Sequence, residues 1–221
     1  MKRAVPRSSP RLQPVKRDPA RTQERILCAA LAEFSQKGFA GARVNFIARS
    51  AGINKRMLYH YFGDKQALFR EVMQRKMMQR EAWLTGAPVD PLEIMPYWFQ
   101  LACNDTNWVR LLEWEALQLS AGPVVNGARR RASCQRFLKR IRQGQKLGLL
   151  SSEFDPGQMA LSMMALTTFP LAFPQMTRIA TGMLPTDPRF QRERVKFLSQ
   201  FAAAIRAQAK IGRRTTGPQQ P

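Results

Sequence analysis

Between Asn54 and Phe62 the chain reads NKRMLYHYF, and most of its side chains can form polar or charged contacts with a partner. Lys55 and Arg56 are adjacent cations that can donate to guanine O6 and N7, the arginine with two bonds at once. Tyr59, His60 and Tyr61, with Lys65 beyond them, carry the hydroxyl, imidazole and ammonium groups that hold phosphates and fix register without reading sequence. Met57 adds bulk between them. Bond-breaking chemistry is not indicated. His60 is the only histidine, and no acid/base pair converges on it. Cys28, Cys103 and Cys134 are far apart, without a C-x-x-C spacing, and read as free thiols of a reducing compartment. The expectation is a binding protein without catalytic residues, metal or cofactor.

The flanking residues show how this surface is presented. Ile47, Ala48 and Ala51 share one helical face over residues 43–50, and Leu58 and Phe62 repeat the spacing after a break at Gly52. Gly52 suits the positive φ of a tight turn, and Asn54 can cap a helix over 54–61. Two short helices joined by such a turn form a helix-turn-helix, whose second helix enters the DNA major groove. Upstream, Asp18-Pro19 reads as a cap with proline at the first helical position. Ile26, Leu27, Ala30, Leu31 and Phe34 make the next helix amphipathic. Gly38 should end it, with Phe39 folding back on its last turn. Asp64 caps a fourth helix with a stripe of Ala67, Leu68, Val72 and Met73, continuing to about Trp83. Lys65 lies in its first turn, where backbone N–H groups already favour an anion.

The formal charge of +21 over 221 residues points to a polyanionic partner, and the 44% apolar content is enough for a sizeable core. Residues 1–17 carry six cations, no acid and no hydrophobic period. They read either as a solvated tail or as a basic arm reaching a minor groove. No apolar run follows them, so they are not a secretory signal. The longest apolar stretch, Met159 to Phe173, is broken by Ser162, Thr167, Thr168 and Pro170 and falls short of the roughly 20 residues of a membrane span. The expectation is a soluble, cytoplasmic protein with no membrane partner.

Beyond a break at Gly86, Pro88 and Pro91, helical patterns recur over 92–103, 108–119, 129–147, 156–169 and 189–209, with no strand signal and no repeat. The fold class is all-α. In the last helix Val195, Leu198, Ala202 and Ile205 line one face, and Phe197, Phe201 and Ala204 widen it until it needs a second surface to cover. A homodimer is the simplest closure. The aromatics between Trp83 and Phe173 are core residues first. Trp98, Trp108, Phe137 and Phe169 are the candidates for lining an apolar effector pocket. The run Arg129-Arg130-Arg131 reads as a solvated face, and residues 210–221 as a disordered tail.

The segments RTQERILCAALAEFSQKGF and ARVNFIARSAGINKRMLYHYFGDKQALF, over Arg21 to Met73, closely resemble the DNA-binding domain of TetR-type transcriptional regulators. The I-A-x-x-A-G turn, the L-Y-x-Y-F helix and the K-x-x-L-F start of the next helix all stand at family spacing. The resemblance implies a three-helix DNA-binding domain over 18–64 and a larger ligand-binding and dimerisation domain over 65–209, linked by a helix over 65–83. It also implies a repressor released from operator DNA by a small molecule, with the last two long helices pairing across a twofold axis. It places Lys55, Tyr59, His60, Tyr61 and Lys65 at DNA-contacting positions, to which Arg43, Val44, Asn54, Arg56 and Met57 are added. Two departures stand out. Ala42-Arg43 replaces the hydroxyl residues that cap the second helix, so Arg43 has to supply a phosphate contact instead. Arg56-Met57 replaces smaller residues and makes the recognition surface bulkier and more cationic.

Overall fold

Asp18 starts the first helix by accepting hydrogen bonds from the backbone N–H groups of Ala20 and Arg21, at 3.0 and 3.3 Å, ahead of Pro19. The computed structural model describes residues 18–119 and 124–215, and among these there are ten helices and no strand. They are α1 (Pro19–Gly41), α2 (Val44–Ser50), α3 (Lys55–Phe62), α4 (Lys65–Thr85), α5 (Ile94–Asn104), α6 (Thr106–Leu119), α7 (Gly127–Lys146), α8 (Pro156–Ala172), α9 (Pro174–Thr181) and α10 (Pro188–Thr215). The basic segment 1–17 and the last residues of the expected C-terminal tail lie outside the described residues. Helix α10 continues past Ala209, where the sequence pattern ends, to Thr215.

Two apolar clusters organise these helices. The first gathers Ile26, Leu27, Ala30 and Phe34 of α1, Ile47, Ala48 and Ala51 around α2, Leu58 of α3, Leu68, Phe69, Val72 and Met73 of α4, and Leu111 of α6. The second gathers Leu92, Ile94, Met95 and Phe99 with Phe137 and Ile141 of α7, Ala160 and Met163 of α8, and Phe190, Leu198 and Ala202 of α10. Helix α5 packs against α8 and α10, and α6 packs against α1. The stripe foreseen on α4 thus serves the first cluster, and α6 reaches into it from the other side.

Gly38 ends the regular part of α1, with φ 68° and ψ 177°, a backbone conformation open essentially only to glycine. Phe39 then folds back against Phe34 and Phe69, with ring centroids 6.2 and 5.3 Å apart. A Cβ at Gly38 would stand 2.7 Å from the indole of Trp114 in α6, whose Nε1–H donates to the Ser35 carbonyl at 3.2 Å. This position therefore fixes both the end of α1 and the seat of α6.

Two further features depart from the sequence expectation, beside the helical 210–215 that was expected to be a disordered tail. Pro170 does not break α8, which runs on to Ala172. Proline has no N–H to give the carbonyl four residues back, that of Leu166. The Arg194 guanidinium of α10 donates to that oxygen instead, at 2.7 Å, and burial pushes the pKa of Arg194 down. Helix α9 was not foreseen. Its eight residues start with Pro174 at the first position and end at Gly182 in the left-handed region.

Gly38→Ala is expected to destabilise the folded protein by about 1–3 kcal/mol, from a strained backbone and the collision with Trp114. Urea unfolding of the full chain measures it, and a loss below about 0.5 kcal/mol would mean that the Gly38–Trp114 contact sets neither element.

Candidate nucleic-acid interface

Asn54 caps α3 by accepting from the Met57 N–H at 2.8 Å, and Leu58 is the helix's one fully buried side chain. Burying that position leaves Lys55, Arg56, Tyr59 and His60 exposed, with Asn54 exposed at the cap; Met57 and Tyr61 are half-buried. The turn before α3 is closed by the Ile53 N–H on the Ala48 carbonyl, 3.0 Å, with Gly52 at φ 65°. Arg25 of α1 holds it from below. Its guanidinium donates to the Ala51 carbonyl and, at 3.2 Å, to the Gly52 carbonyl. That contact spans more than twenty residues of sequence and has no local signature.

At the start of α2, Arg43 makes no side-chain cap, as the Ala42-Arg43 departure implies. The loss is compensated from α1. The buried carboxylate of Glu33 accepts the Arg43 N–H at 3.0 Å, the bond that the glutamate of a capping box makes from within its own helix. Arg43's own side chain is left free to face solvent.

Asp64 caps α4 as expected, accepting from the Ala67 N–H at 2.6 Å. Lys65 is more engaged than a free phosphate-seeking lysine. Its Nζ donates to the Ala40 carbonyl at 3.3 Å and lies 4.9 Å from the centre of the Phe39 ring. Burial pushes its pKa down, and the Glu33 charge opposes this. Lys55 similarly lies 5.6 Å from the centre of the Tyr59 ring.

These elements enclose a cleft of about 520 Å³ lined by Ala42, Arg43, Val44, Asn45, Phe46, Arg49, Lys55, Tyr59 and Lys65. It brings together Arg43, Val44, Lys55, Tyr59 and Lys65 of the predicted set. Arg56 and His60 remain exposed on α3 outside its lining. Tyr61 turns toward the first cluster, 6.4 Å from Phe62 and edge-on to His60 at 5.7 Å. Three lining residues were not singled out from sequence: Asn45, Phe46 and Arg49. Their signal was present, because they occupy the face of α2 opposite Ile47, Ala48 and Ala51.

The four aromatics proposed for an effector pocket are not brought together. Trp98 and Phe137 meet in the second cluster, 4.6 Å between centroids. Trp108 packs on the first cluster, with the Arg80 and Arg130 guanidinia 5.3 and 5.5 Å from its ring. Phe169 is half-exposed beside Phe173, 4.9 Å away. Among the described residues no group of three or more His, Cys, Asp or Glu side chains could hold a metal ion, and no helix is long and apolar enough to cross a membrane.

A model of the bacterial regulatory proteins of the tetR family matches residues 26–72, and one of the tetracyclin repressor-like C-terminal domain matches residues 97–203. The HTH-type transcriptional repressor SCO4008 of Streptomyces coelicolor is 32% identical over 169 residues, covering 75% of this chain and 86% of that protein. The chain belongs to the TetR family. The crystal structure of SCO4942 from the same organism superposes with a TM-score of 0.69 at 25% identity, over 81% of this chain and 97% of that one. The ketosteroid transcriptional regulator KstR2 of Mycobacterium tuberculosis shares the fold, with a TM-score of 0.61 at 19% identity over 84% and 93% of the two chains. This TetR family protein is accordingly a DNA-binding transcription regulator and not an enzyme. Regulators of the family bind operator DNA and form dimers.

In this TetR family chain, Glu33→Ala is expected to destabilise folding by about 1 kcal/mol, the loss of a helix cap. Arg43→Thr in the same background should recover part of that by supplying a hydroxyl cap. Urea melts of the two variants test the pair, and a Glu33→Ala protein as stable as its parent would show that the carboxylate does not cap α2.

Proposed function

We propose that the protein is a repressor acting as a homodimer, with its two α3 helices in successive major grooves of a palindromic operator. The observation that carries this is the cleft beside α3, where Arg43, Arg49, Lys55 and Lys65 line one concavity and no carboxylate lines it. Such a surface attracts phosphate by releasing the counterions condensed on DNA. Arg56, exposed on α3, and Lys55 read guanine. Arg43, Tyr59, His60, Tyr61 and Lys65 hold the backbone, with Asn54, Val44 and Met57 setting the approach of the two helices.

The dimer closes through the last two long helices. Leu161, Met164 and Phe169 of α8 and Phe197 and Phe201 of α10 are large apolar side chains left exposed in a single copy. This is the kind of surface a second copy covers. An apolar small molecule binds within the larger domain, with Trp98 and Phe137 the best placed of the aromatics. It favours a state whose α3 helices are wrongly spaced for the operator. The protein works in the cytoplasm and needs no membrane.

The reading is tested by selecting bound fragments from genomic DNA with the full-length protein, where a short palindrome should be enriched. Failure to enrich any sequence over bulk DNA would overturn it. Arg56→Ala should weaken operator binding by about 1–3 kcal/mol and relax preference at one base pair per half-site. An unaltered preference profile would remove Arg56 from base reading. Arg43→Gln should weaken binding to all duplexes and flatten the salt dependence by roughly one unit, as loss of one phosphate contact requires; an unchanged slope would place Arg43 off the backbone.

A further inference from the structure

Phe46 of α2 is an unusual occupant of a cationic cleft. The residue is 51% exposed and lines the concavity together with Asn45, Arg43, Arg49 and Tyr59. It belongs to neither apolar cluster, and among the described residues no ring contact involves it. The helix does not need it there. Ile47, Ala48 and Ala51 already bury the inner face of α2, and Phe46 points the other way.

What covers an exposed ring is decided by its neighbours. Four cations line the same cleft with no carboxylate, so the occupant is a polyanion rather than an apolar protein surface. Duplex DNA offers an apolar atom group at a sequence-specific place in the major groove, the C5-methyl group of thymine, and aromatic or methyl-bearing side chains recognise it by contact. The C–H faces of deoxyribose are apolar too, but they occur at every step and carry no sequence.

We propose that Phe46 is a specificity-determining residue that packs on the C5-methyl group of a thymine in each operator half-site, so that α2 reads sequence alongside α3. This rests on the operator-binding reading of the same cleft and adds to it a base and an atom. The cations hold the backbone while the ring recognises the methyl group. Burying one methyl group changes affinity by about fourfold, equivalent to ~0.8 kcal/mol.

The test uses the full-length dimer and the duplex selected by the wild-type protein. Each thymine of a half-site is replaced in turn by deoxyuridine, which removes only the methyl group, and binding is followed by fluorescence anisotropy. One replacement should weaken the wild type by about fourfold per half-site. In Phe46→Ala that same replacement should have no effect, while the salt slope stays that of the wild type because no cation has been removed. Phe46→Gln provides a second variant with the same expectation. Two results overturn the proposal: thymine and uracil duplexes discriminated equally by wild type and both variants, or both variants weakening every duplex alike, which would put the ring on deoxyribose. If the wild type enriches no duplex at all, the operator-binding reading fails first and this inference falls with it.

Discussion

Helix α4 lines the first apolar cluster as far as Met73, and just beyond it the helix buries a cation. Lys76 meets Asp105, at the corner between α5 and α6, at 2.7 Å, and both side chains are nearly inaccessible to solvent. Two charges out of water are strongly disfavoured unless they meet each other, so this corner cannot move relative to α4 without leaving both uncompensated. One turn further along, the Arg80 guanidinium lies 5.9 and 5.3 Å from the rings of Trp83 and Trp108. Burial pushes its pKa down against the pull of Asp105. A pair of this kind adds little net stability compared with an apolar substitute, but it specifies one arrangement. The arrangement is the one that sets α6 against α1, where Trp114 closes over Gly38 and bonds the Ser35 carbonyl.

The DNA-facing elements inherit their position from that corner. Helix α1, seated by α6, reaches forward with two side chains. Arg25 holds the carbonyls of the turn between α2 and α3, and Glu33 holds the N–H of Arg43, the residue just before α2. Lys65, at the front of α4, bonds the Ala40 carbonyl across the loop that leads into α2. Neither short helix could persist alone in water at seven or eight residues. They are held by bonds from α1 and α4 and by Ile47, Ala48 and Leu58 in the first cluster. Direct contacts therefore run from α4 and α6 through α1 to α2 and α3.

What was legible in the sequence was local. The caps at Asp18, Asn54 and Asp64, the stop at Gly38 and the turn at Gly52 each depend on neighbours within a few residues, and each stands in the structure where the pattern put it. What was not legible depends on partners distant in sequence. The Glu33–Arg43 cap and the Arg25 brace are examples, as is the Arg194 guanidinium that lets α8 pass through Pro170. Helix α9 was not read from the sequence at all: eight residues carry little period, and Pro174 lets a new helix start directly after α8. Asn45, Phe46 and Arg49 were missed for a different reason. The recognition helix drew the chemistry to itself, while the outward face of α2 lies in the same cleft.

The charge excess gains meaning from where the acids are used. Asp18, Glu33, Asp64, Asp155 and Asp187 accept from backbone N–H groups at helix starts. Glu24, Glu71, Glu81, Asp90, Glu93, Asp105, Glu115 and Glu193 pair with cations. Among the described residues Glu113 and Glu153 take neither role, although the Arg110 charge acts on Glu113. Most of these pairs tie helices of the larger domain to one another: Glu81 to Arg129 and Arg136 of α7, Glu115 to Arg130, and Asp90 and Glu93 to Arg206 of α10. The acids are thus used in shaping the fold, and in the larger domain they pair with some of its cations, while Arg131, Lys139, Arg140 and Arg142 of α7 have no ion pair among the described residues. Around α2 and α3 the buried Glu33 and the exposed Asp64 are engaged as caps, which leaves Arg43, Arg49, Lys55 and Arg56 without a paired carboxylate among the described residues. A net charge of +21 would draw the protein to any polyanion. Where the two short helices meet, Arg43, Arg49, Lys55 and Lys65 line one concavity without a carboxylate, and a concave site of one charge sign focuses that attraction.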